Sequence, residues 1–91
     1  MLKITNRNEG VTTIFELEGK LAGPWVDELE KCWRQALGHD RQIRVVLKTV
    51  AFIDAAGRRL LTDMHRQGTD LVAHGCMTKA IVEEVKVGRG P

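Results

Sequence analysis

The residues most suited to chemistry lie in FIDAAGRRLL, residues 52–61, where an acid, two alanines and a glycine precede two arginines. This stretch falls where a predicted strand ends and a predicted helix begins. An acidic side chain at that position accepts hydrogen bonds from the free N–H groups of the first helical turn. We therefore predict an N-cap at Asp54. The candidate partner- or anion-binding residues are Asp54, Ala55, Ala56, Gly57, Arg58 and Arg59.

Gly57 and the two arginines are harder to explain as a simple cap. A glycine inside a helix costs about 1 kcal/mol relative to alanine. Gly57 therefore indicates either close packing of the helix start on the sheet or approach by a partner's backbone. Arg58 and Arg59 lie near the positive end of the helix dipole, where acids are favoured. They form either a solvated face or a site for an anion or an acidic partner, since free N–H groups and guanidinium groups both attract anions.

Other reactive side chains do not form a recognisable site. The histidines and the nearby cysteine match no standard spacing of metal ligands, so we expect no metal and no cofactor. These residues are His39, His65, His74 and Cys76. We find no acid paired with a base, no activated nucleophile and no phosphate-binding glycine loop, and we expect no enzyme. Surface or capping roles are expected for Thr49, Thr62 and Thr78.

Length and composition limit the classes of function. Ninety-one residues predict one domain, residues 1–91, with a flexible tail at 86–91. A net charge of +2 and few aromatic residues argue against a nucleic-acid partner. No apolar run approaches the roughly 20 residues of a membrane span, and no signal peptide is visible. We therefore expect a cytoplasmic protein.

The strands are predicted from alternation and from turn residues. The first covers residues 2–6 and is followed by a hairpin turn at residues 8–10. The second covers residues 11–19. The third covers residues 41–50, with a short separate segment, AFI, after it. The fourth is expected within residues 69–75.

The helices are predicted from apolar stripes with helical spacing. Helix one begins at Pro24, ends near Gly38 and has a stripe formed by Trp25, Leu29, Cys32, Trp33, Ala36 and Leu37. Trp33 is expected in the core and Trp25 partly exposed. Helix two covers residues 55–67, with an inward face formed by Gly57, Leu60, Leu61 and Met64. A short third helix is marked by Met77, Ala80, Ile81 and Val85.

The predicted order of elements is β-β-α-β-α-β-α, an α/β class. The strand–helix–strand units imply right-handed crossovers and a parallel centre of the sheet, and the opening hairpin adds an antiparallel edge. We therefore expect a mixed sheet of about four strands with helices packed on it.

This order, together with IDAAG, resembles the STAS domain family, the anti-sigma factor antagonist fold. Family members share a strand that ends in Asp, followed by two small residues and Gly and then a helix, as in Asp54 to Gly57 here. FELEGKLAG, residues 15–23, looks like the family's strand with its Gly-x-Leu turn, and GTDLVAHG, residues 68–75, looks like the strand after helix two. The resemblance covers residues 2–85.

The resemblance implies a non-catalytic protein-binding module. Its partner would be an anti-sigma factor, a kinase or a transport component, and the oligomeric state is left open. In regulated members a Ser or Thr just before the Gly is phosphorylated. Ala56 occupies that position and Ala55 precedes it, so neither offers a hydroxyl. The alternative is a small-ligand domain that binds an anion, a nucleotide or a lipid head group at the same turn, as part of a transport system.

Overall fold

The architecture is a four-stranded sheet with helices packed on it. The structure, a computed structural model, describes residues 1–39 and 41–87. Its elements are β1 (Leu2–Glu9), β2 (Thr12–Leu21), α1 (Pro24–Leu37), β3 (Gln42–Ile53), α2 (Ala55–Arg66), β4 (Asp70–Ala73) and α3 (Cys76–Lys86). The strands of the described chain lie in the order β1-β2-β3-β4, antiparallel for the first pair and parallel for the others. The predicted element order, the mixed sheet and the α/β class are confirmed.

The opening hairpin is longer than predicted. β1 pairs with β2 along its whole length, from Leu2 opposite Gly19 to Glu9 opposite Thr12. The turn is therefore formed by Gly10 and Val11, where Gly10 has a φ of 61° that glycine adopts without strain. Asn is depleted in strands, and Asn8 to Gly10 have the composition of a turn, so the residue pattern ends β1 too early. Pairing with β2 overrides that preference.

β3 also extends beyond its predicted end. It pairs with β2 as far as Leu21 opposite Ile53, through two irregularities in the register, so the predicted separate segment AFI belongs to the strand. β4 pairs only with residues 44–47 of β3. Within the described residues, the later part of β3 thus has a strand on one side only. On the other side, the Thr78 hydroxyl of α3 donates to the Val50 carbonyl over 3.4 Å.

All three helices pack on the same face of the sheet. The core cluster combines buried side chains from the four strands with Val26, Leu29 and Trp33 of α1 and with residues of α2 and α3. The opposite face carries cross-strand ion pairs, among them Lys3–Glu18 and Arg44–Asp70. Ile14 is buried on that face between its register neighbours Arg7 and Arg44, whose aliphatic stems can cover it.

The predicted inward faces are correct for two helices and only partly correct for the third, where Val85 is buried as predicted. Leu29 and Trp33 of α1 are buried, Trp25 is partly exposed, and all four predicted residues of α2 are buried. On α3 the buried residues are Thr78, Val82 and Val85, whereas Met77 and Ala80 are exposed and Ile81 is partly buried. The surface or capping role expected for Thr78 is wrong, because Thr78 is buried and its hydroxyl donates to the Val50 carbonyl of β3. The expected tail starts too early, since Lys86 ends α3, and residues 88–91 lie outside the described residues.

Candidate functional site

The candidate site is the turn between β3 and α2, where Asp54 caps the helix. Asp54 has an extended backbone, and its Oδ1 accepts a hydrogen bond from the Gly57 N–H over 2.7 Å. Alanines at the next two positions are good helix formers and allow α2 to begin at once. The N-cap predicted at Asp54 is confirmed.

The second oxygen of the same carboxylate makes a bond that the sequence did not predict. Asp54 Oδ2 accepts from the Gly23 N–H over 2.9 Å, which joins the loop before α1 to the turn before α2. The backbone N–H of Asp54 also donates to the Leu21 carbonyl over 3.2 Å. Gly23 has a φ of 60°, so its N–H reaches the carboxylate from a conformation that favours glycine. These bonds join the ends of two neighbouring parallel strands.

The two hydrogen bonds that the Asp54 carboxylate accepts favour its charged form. The Gly23 N–H and then the Gly57 N–H lower the pKa of this carboxyl below its ordinary value, with a smaller contribution from Arg59. The carboxylate therefore remains ionised and hydrogen-bonded at neutral pH. It serves here as a structural link between two loops.

Close packing explains Gly57. A Cβ atom at this position would lie 2.7 Å from the Leu21 carbonyl oxygen and 2.9 Å from Cγ2 of Ile53. Gly57 is buried, so the start of α2 lies directly on the end of the sheet. Of the two explanations offered by the sequence, intramolecular packing accounts for this glycine.

The two arginines have different surroundings. Arg58 Nη1 donates to Oε2 of Glu84 over 3.1 Å, which connects α2 to α3. Arg59 is exposed and forms no ion pair with any residue in the described ranges. Ala55 and Ala56 are also exposed. The surface that the sequence predicted for a partner thus has one solvated guanidinium and two small methyl groups.

An apolar cavity lies beside this turn. It has a volume of about 170 Å³, and its wall includes Phe52 from β3, Met77 from α3 and the side chain of Arg58. Phe52 is 53% exposed and Met77 is 64% exposed, although both are large apolar residues. The residue pattern predicts Phe52 in a linking segment and Met77 in the core, so this surface is not apparent from the sequence.

Similarity to known proteins is found at the level of structure and not of sequence. No protein-family model matches the sequence, and a search of curated proteins finds no significant match. A solved structure, an anti-sigma factor antagonist from Mycobacterium paratuberculosis, is similar with a TM-score of 0.83 and 14% sequence identity. The match covers 98% of this chain and 81% of that chain. The chain has the STAS fold.

The STAS fold places the Asp54 turn at the carboxyl ends of β2 and β3. The first-turn N–H groups of α2 are partly used there, because Gly57 donates to the Asp54 side chain and Arg58 donates to the Asp54 carbonyl over 3.0 Å. A negative carboxylate therefore occupies the position in which an incoming anion would meet these groups. The anion-binding role stays a prediction, and the local electrostatics give it little support.

The other candidate residues from the sequence, which are the histidines, Cys76 and the threonines, are spread over the molecule. No group of three or more His, Cys, Asp or Glu side chains with a geometry for a metal occurs within residues 1–39 and 41–87. The described part of the chain also contains no helix long and apolar enough to cross a membrane. Among the threonines, Thr78 is buried, the Thr62 hydroxyl donates to the Arg58 carbonyl, and Thr49 is exposed.

A buried polar contact of α1 is also not predicted by the residue pattern. Trp33 is fully buried, and its Nε1 donates to the Thr69 hydroxyl over 2.8 Å. A buried tryptophan N–H needs an acceptor. That requirement was the available signal, although sequence alone did not show which residue would supply it.

Proposed function

We propose that this protein is a cytoplasmic, non-catalytic interaction module that binds another protein in the manner of an anti-sigma factor antagonist. The STAS fold and the similar anti-sigma factor antagonist support this role. The observation that carries the proposal is the exposed surface at the start of α2. We call it the Phe52 surface, and it consists of Phe52, Ala55, Ala56, Arg59 and Met77.

The Phe52 surface has the composition expected of a binding site. Single exposed apolar residues are normal on a monomer, but Phe52 and Met77 both line one preformed cavity. A partner that inserts an apolar side chain there would remove both residues from water. Arg59, which follows Arg58 of the cavity wall, is an exposed positive charge at the start of α2 and would favour an acidic group on that partner.

The interaction is proposed to lack the family's usual switch. Ala56 stands where the resemblance expects a phosphoacceptor, and its exposed methyl group has no hydroxyl to accept a phosphoryl group. Phosphorylation at this position therefore cannot block the complex. The partner is an anti-sigma factor, a kinase-like protein or a component of a transport system.

The test is affinity capture with variants of the Phe52 surface. Phe52→Ser, Met77→Ser and Arg59→Glu are each expected to reduce recovery of a partner that the wild type retains. Arg58→Glu is a poor probe, because it would also break the ion pair with Glu84. Val11→Ser is the matched control, since Val11 is 71% exposed but lies in the β1–β2 turn. Equal recovery with all variants would show that the Phe52 surface is not the binding site.

The alternative is an anion, nucleotide or lipid head-group site at the Asp54 turn. Titration with ATP and with glycerol 3-phosphate, followed by amide NMR shifts, separates the two proposals. Saturable shifts confined to residues 55–59 would favour the alternative. Their absence, together with capture that depends on Phe52, would favour the protein partner.

A further inference from the structure

A second candidate site lies at the end of the sheet opposite the Asp54 turn. A cleft of about 500 Å³ opens between the β1–β2 hairpin and the C-terminal part of α1, close to the start of β3. This volume falls within the roughly 300–1,000 Å³ of ordinary small-molecule sites. We call it the Arg41 cleft, after the cation in its wall.

The β1 side of the Arg41 cleft is polar at the point where the sheet would otherwise continue the core, whereas Phe15 of β2 and Ala36 of α1 supply apolar lining. Leu2, Ile4, Asn6 and Asn8 share one face of β1, because alternate residues of a strand point the same way. Leu2 is buried and Ile4 packs against the core, whereas Asn6 and Asn8 are exposed and line the cleft. Along this face of β1, the side chains therefore change from apolar residues to carboxamides at the point where the cleft begins.

A chain of hydrogen bonds holds the polar groups in place. Arg41 Nε donates to the Thr13 hydroxyl over 3.0 Å, and that hydroxyl donates to Asn8 Oδ1 over 3.1 Å. Arg41 Nη2 donates to the Gly10 carbonyl over 2.7 Å. Thr13 at the centre is only 9% exposed. The guanidinium group and the Asn8 amide are therefore fixed before any ligand arrives, which lowers the entropy cost of binding.

Within residues 1–39 and 41–87, the charge in the cleft wall is positive. Its wall has the guanidinium of Arg41, the imidazole of His39 and the carboxamide of Gln35, and no described Asp or Glu lines it. A neighbouring cavity of about 410 Å³ shares Arg41 and likewise has no described acid in its wall. Arg41 also forms no ion pair within residues 1–39 and 41–87. A fixed guanidinium with amide donors suits a carboxylate or a phosphate.

We propose that the Arg41 cleft binds a small organic anion, a carboxylate or a phosphate ester, with Arg41 facing its charge and the carboxamides of Asn6 and Asn8 contacting its polar groups. This site is separate from the Phe52 surface and does not depend on the proposed protein partner. It also differs from an anion site at the Asp54 turn, where a carboxylate already meets the helix N–H groups.

Cys32 supplies a reporter, because it is partly buried and lines the cleft. Cys76 is exposed at the start of α3 and lies outside the cleft wall. A Cys76→Ser variant leaves one thiol in the cleft, and a Cys32→Ser variant leaves one thiol outside it. The rate of iodoacetamide labelling would be measured with succinate, glycerol 3-phosphate or inorganic phosphate, and with sodium chloride at equal ionic strength.

We expect at least one of the three anions to slow labelling of Cys32 in proportion to the occupied fraction, and to leave labelling of Cys76 unchanged. The same anion should shift the amide resonances of Asn6, Asn8 and Arg41. Failure of all three to slow Cys32 labelling or to shift these resonances at about 10 mM, where even a millimolar affinity fills most sites, would overturn the proposal.

Charge variants complete the test. Arg41→Gln should abolish protection, but it also removes the bond to Gly10 and can weaken the hairpin. Asn6→Asp avoids that difficulty, since Asn6 is exposed and its change adds a negative charge without removing the Arg41 contacts. Thr5→Asp is the control, because Thr5 is exposed on the opposite face of the same strand. Equal protection in Asn6→Asp and Thr5→Asp would contradict an anion site in the cleft.

Discussion

At the scale of single residues, Asp54 makes two different contacts through the two oxygens of one carboxylate. Oδ1 caps α2 through Gly57, and Oδ2 holds the loop before α1 through Gly23. The residue pattern predicted the first contact, because capping depends on neighbours in sequence. It did not predict the second, because Gly23 and Asp54 are 31 residues apart.

Asp54→Asn should separate these contacts. The amide oxygen can still cap α2, but the amide nitrogen cannot accept from Gly23, and we expect a loss of about 1–3 kcal/mol in the free energy of unfolding. Asp54→Ala should lose more, since the cap alone is worth about 0.5–2 kcal/mol. Urea denaturation measures both. Equal stability of the wild type and the Asp54→Asn variant would show that the Gly23 bond contributes nothing.

The wild type and the Asp54→Asn variant also give a prediction about the pH dependence of stability. The folded-state pKa of Asp54 is below its unfolded value, which is about 3.9. The carboxylate therefore stabilises the fold fully above the unfolded pKa. This contribution is lost as the pH falls through the lower folded pKa. The difference in unfolding free energy between wild type and Asp54→Asn should therefore stay constant from pH 7 to about 5 and shrink below about 4. A difference that grows on acidification would contradict the assigned sign.

Gly57→Ala tests the packing at the start of α2. Alanine gains about 1 kcal/mol in helix propensity, but its Cβ would lie 2.7 Å from the Leu21 carbonyl oxygen, and overpacking of this kind costs about 1–3 kcal/mol. We expect a net loss of stability. Gly38→Ala is the control, because the nearest atom to a Cβ there is at 3.7 Å. Thermal melting compares the two, and a more stable Gly57→Ala protein would refute the close approach.

At the scale of elements, the sequence predicted every helix and strand of the described chain, because apolar periodicity depends on local spacing. It was weaker where pairing decides the outcome. β3 continues through Phe52 because β2 pairs with it to Ile53, and such pairing cannot be seen in the residues of one strand. The exposed pair Phe52 and Met77 was missed for a similar reason, since only the packing of α3 beside β3 brings them to one cavity.

The contact between α1 and the start of β4 gives the prediction at this scale. Thr69→Val keeps the shape of the side chain but leaves the buried Trp33 N–H without its acceptor, at a cost of about 1–3 kcal/mol. Thr62→Val is the control, because the Thr62 hydroxyl only donates to a carbonyl one turn earlier in α2. Guanidinium denaturation followed by tryptophan fluorescence measures both. Similar losses in the free energy of unfolding for the two variants would show that the Trp33 bond stabilises the fold no more than the Thr62 bond does.

At the scale of the whole molecule, one contiguous core draws on all three helices and on the sheet. The Cα radius of gyration is 11.9 Å, close to the roughly 12 Å expected for a single compact domain of this length. The ion-paired opposite face contributes little, because exposed pairs are worth about 0–1 kcal/mol each. Stability must therefore come from the one helix-covered core.

We accordingly predict a single cooperative unfolding transition for the full chain. Fluorescence reports Trp33 in the core and Trp25 at its edge, whereas far-ultraviolet circular dichroism reports all helices, so their midpoints should coincide. The free energy of unfolding should lie within about 5–14 kcal/mol, from the ordinary range per residue. Two separated midpoints would indicate that part of the chain unfolds independently.

The links around Asp54 also have a kinetic consequence. The carboxylate is bonded at both oxygens, and Gly57 lies against the Leu21 carbonyl, so the loop before α1 and the start of α2 are held together before any encounter. A proposed partner that meets residues 55–59 would find their backbone already in place. Association with the proposed partner would then be a one-step collision without a slow rearrangement, and differences in affinity between variants should appear mainly in the dissociation rate.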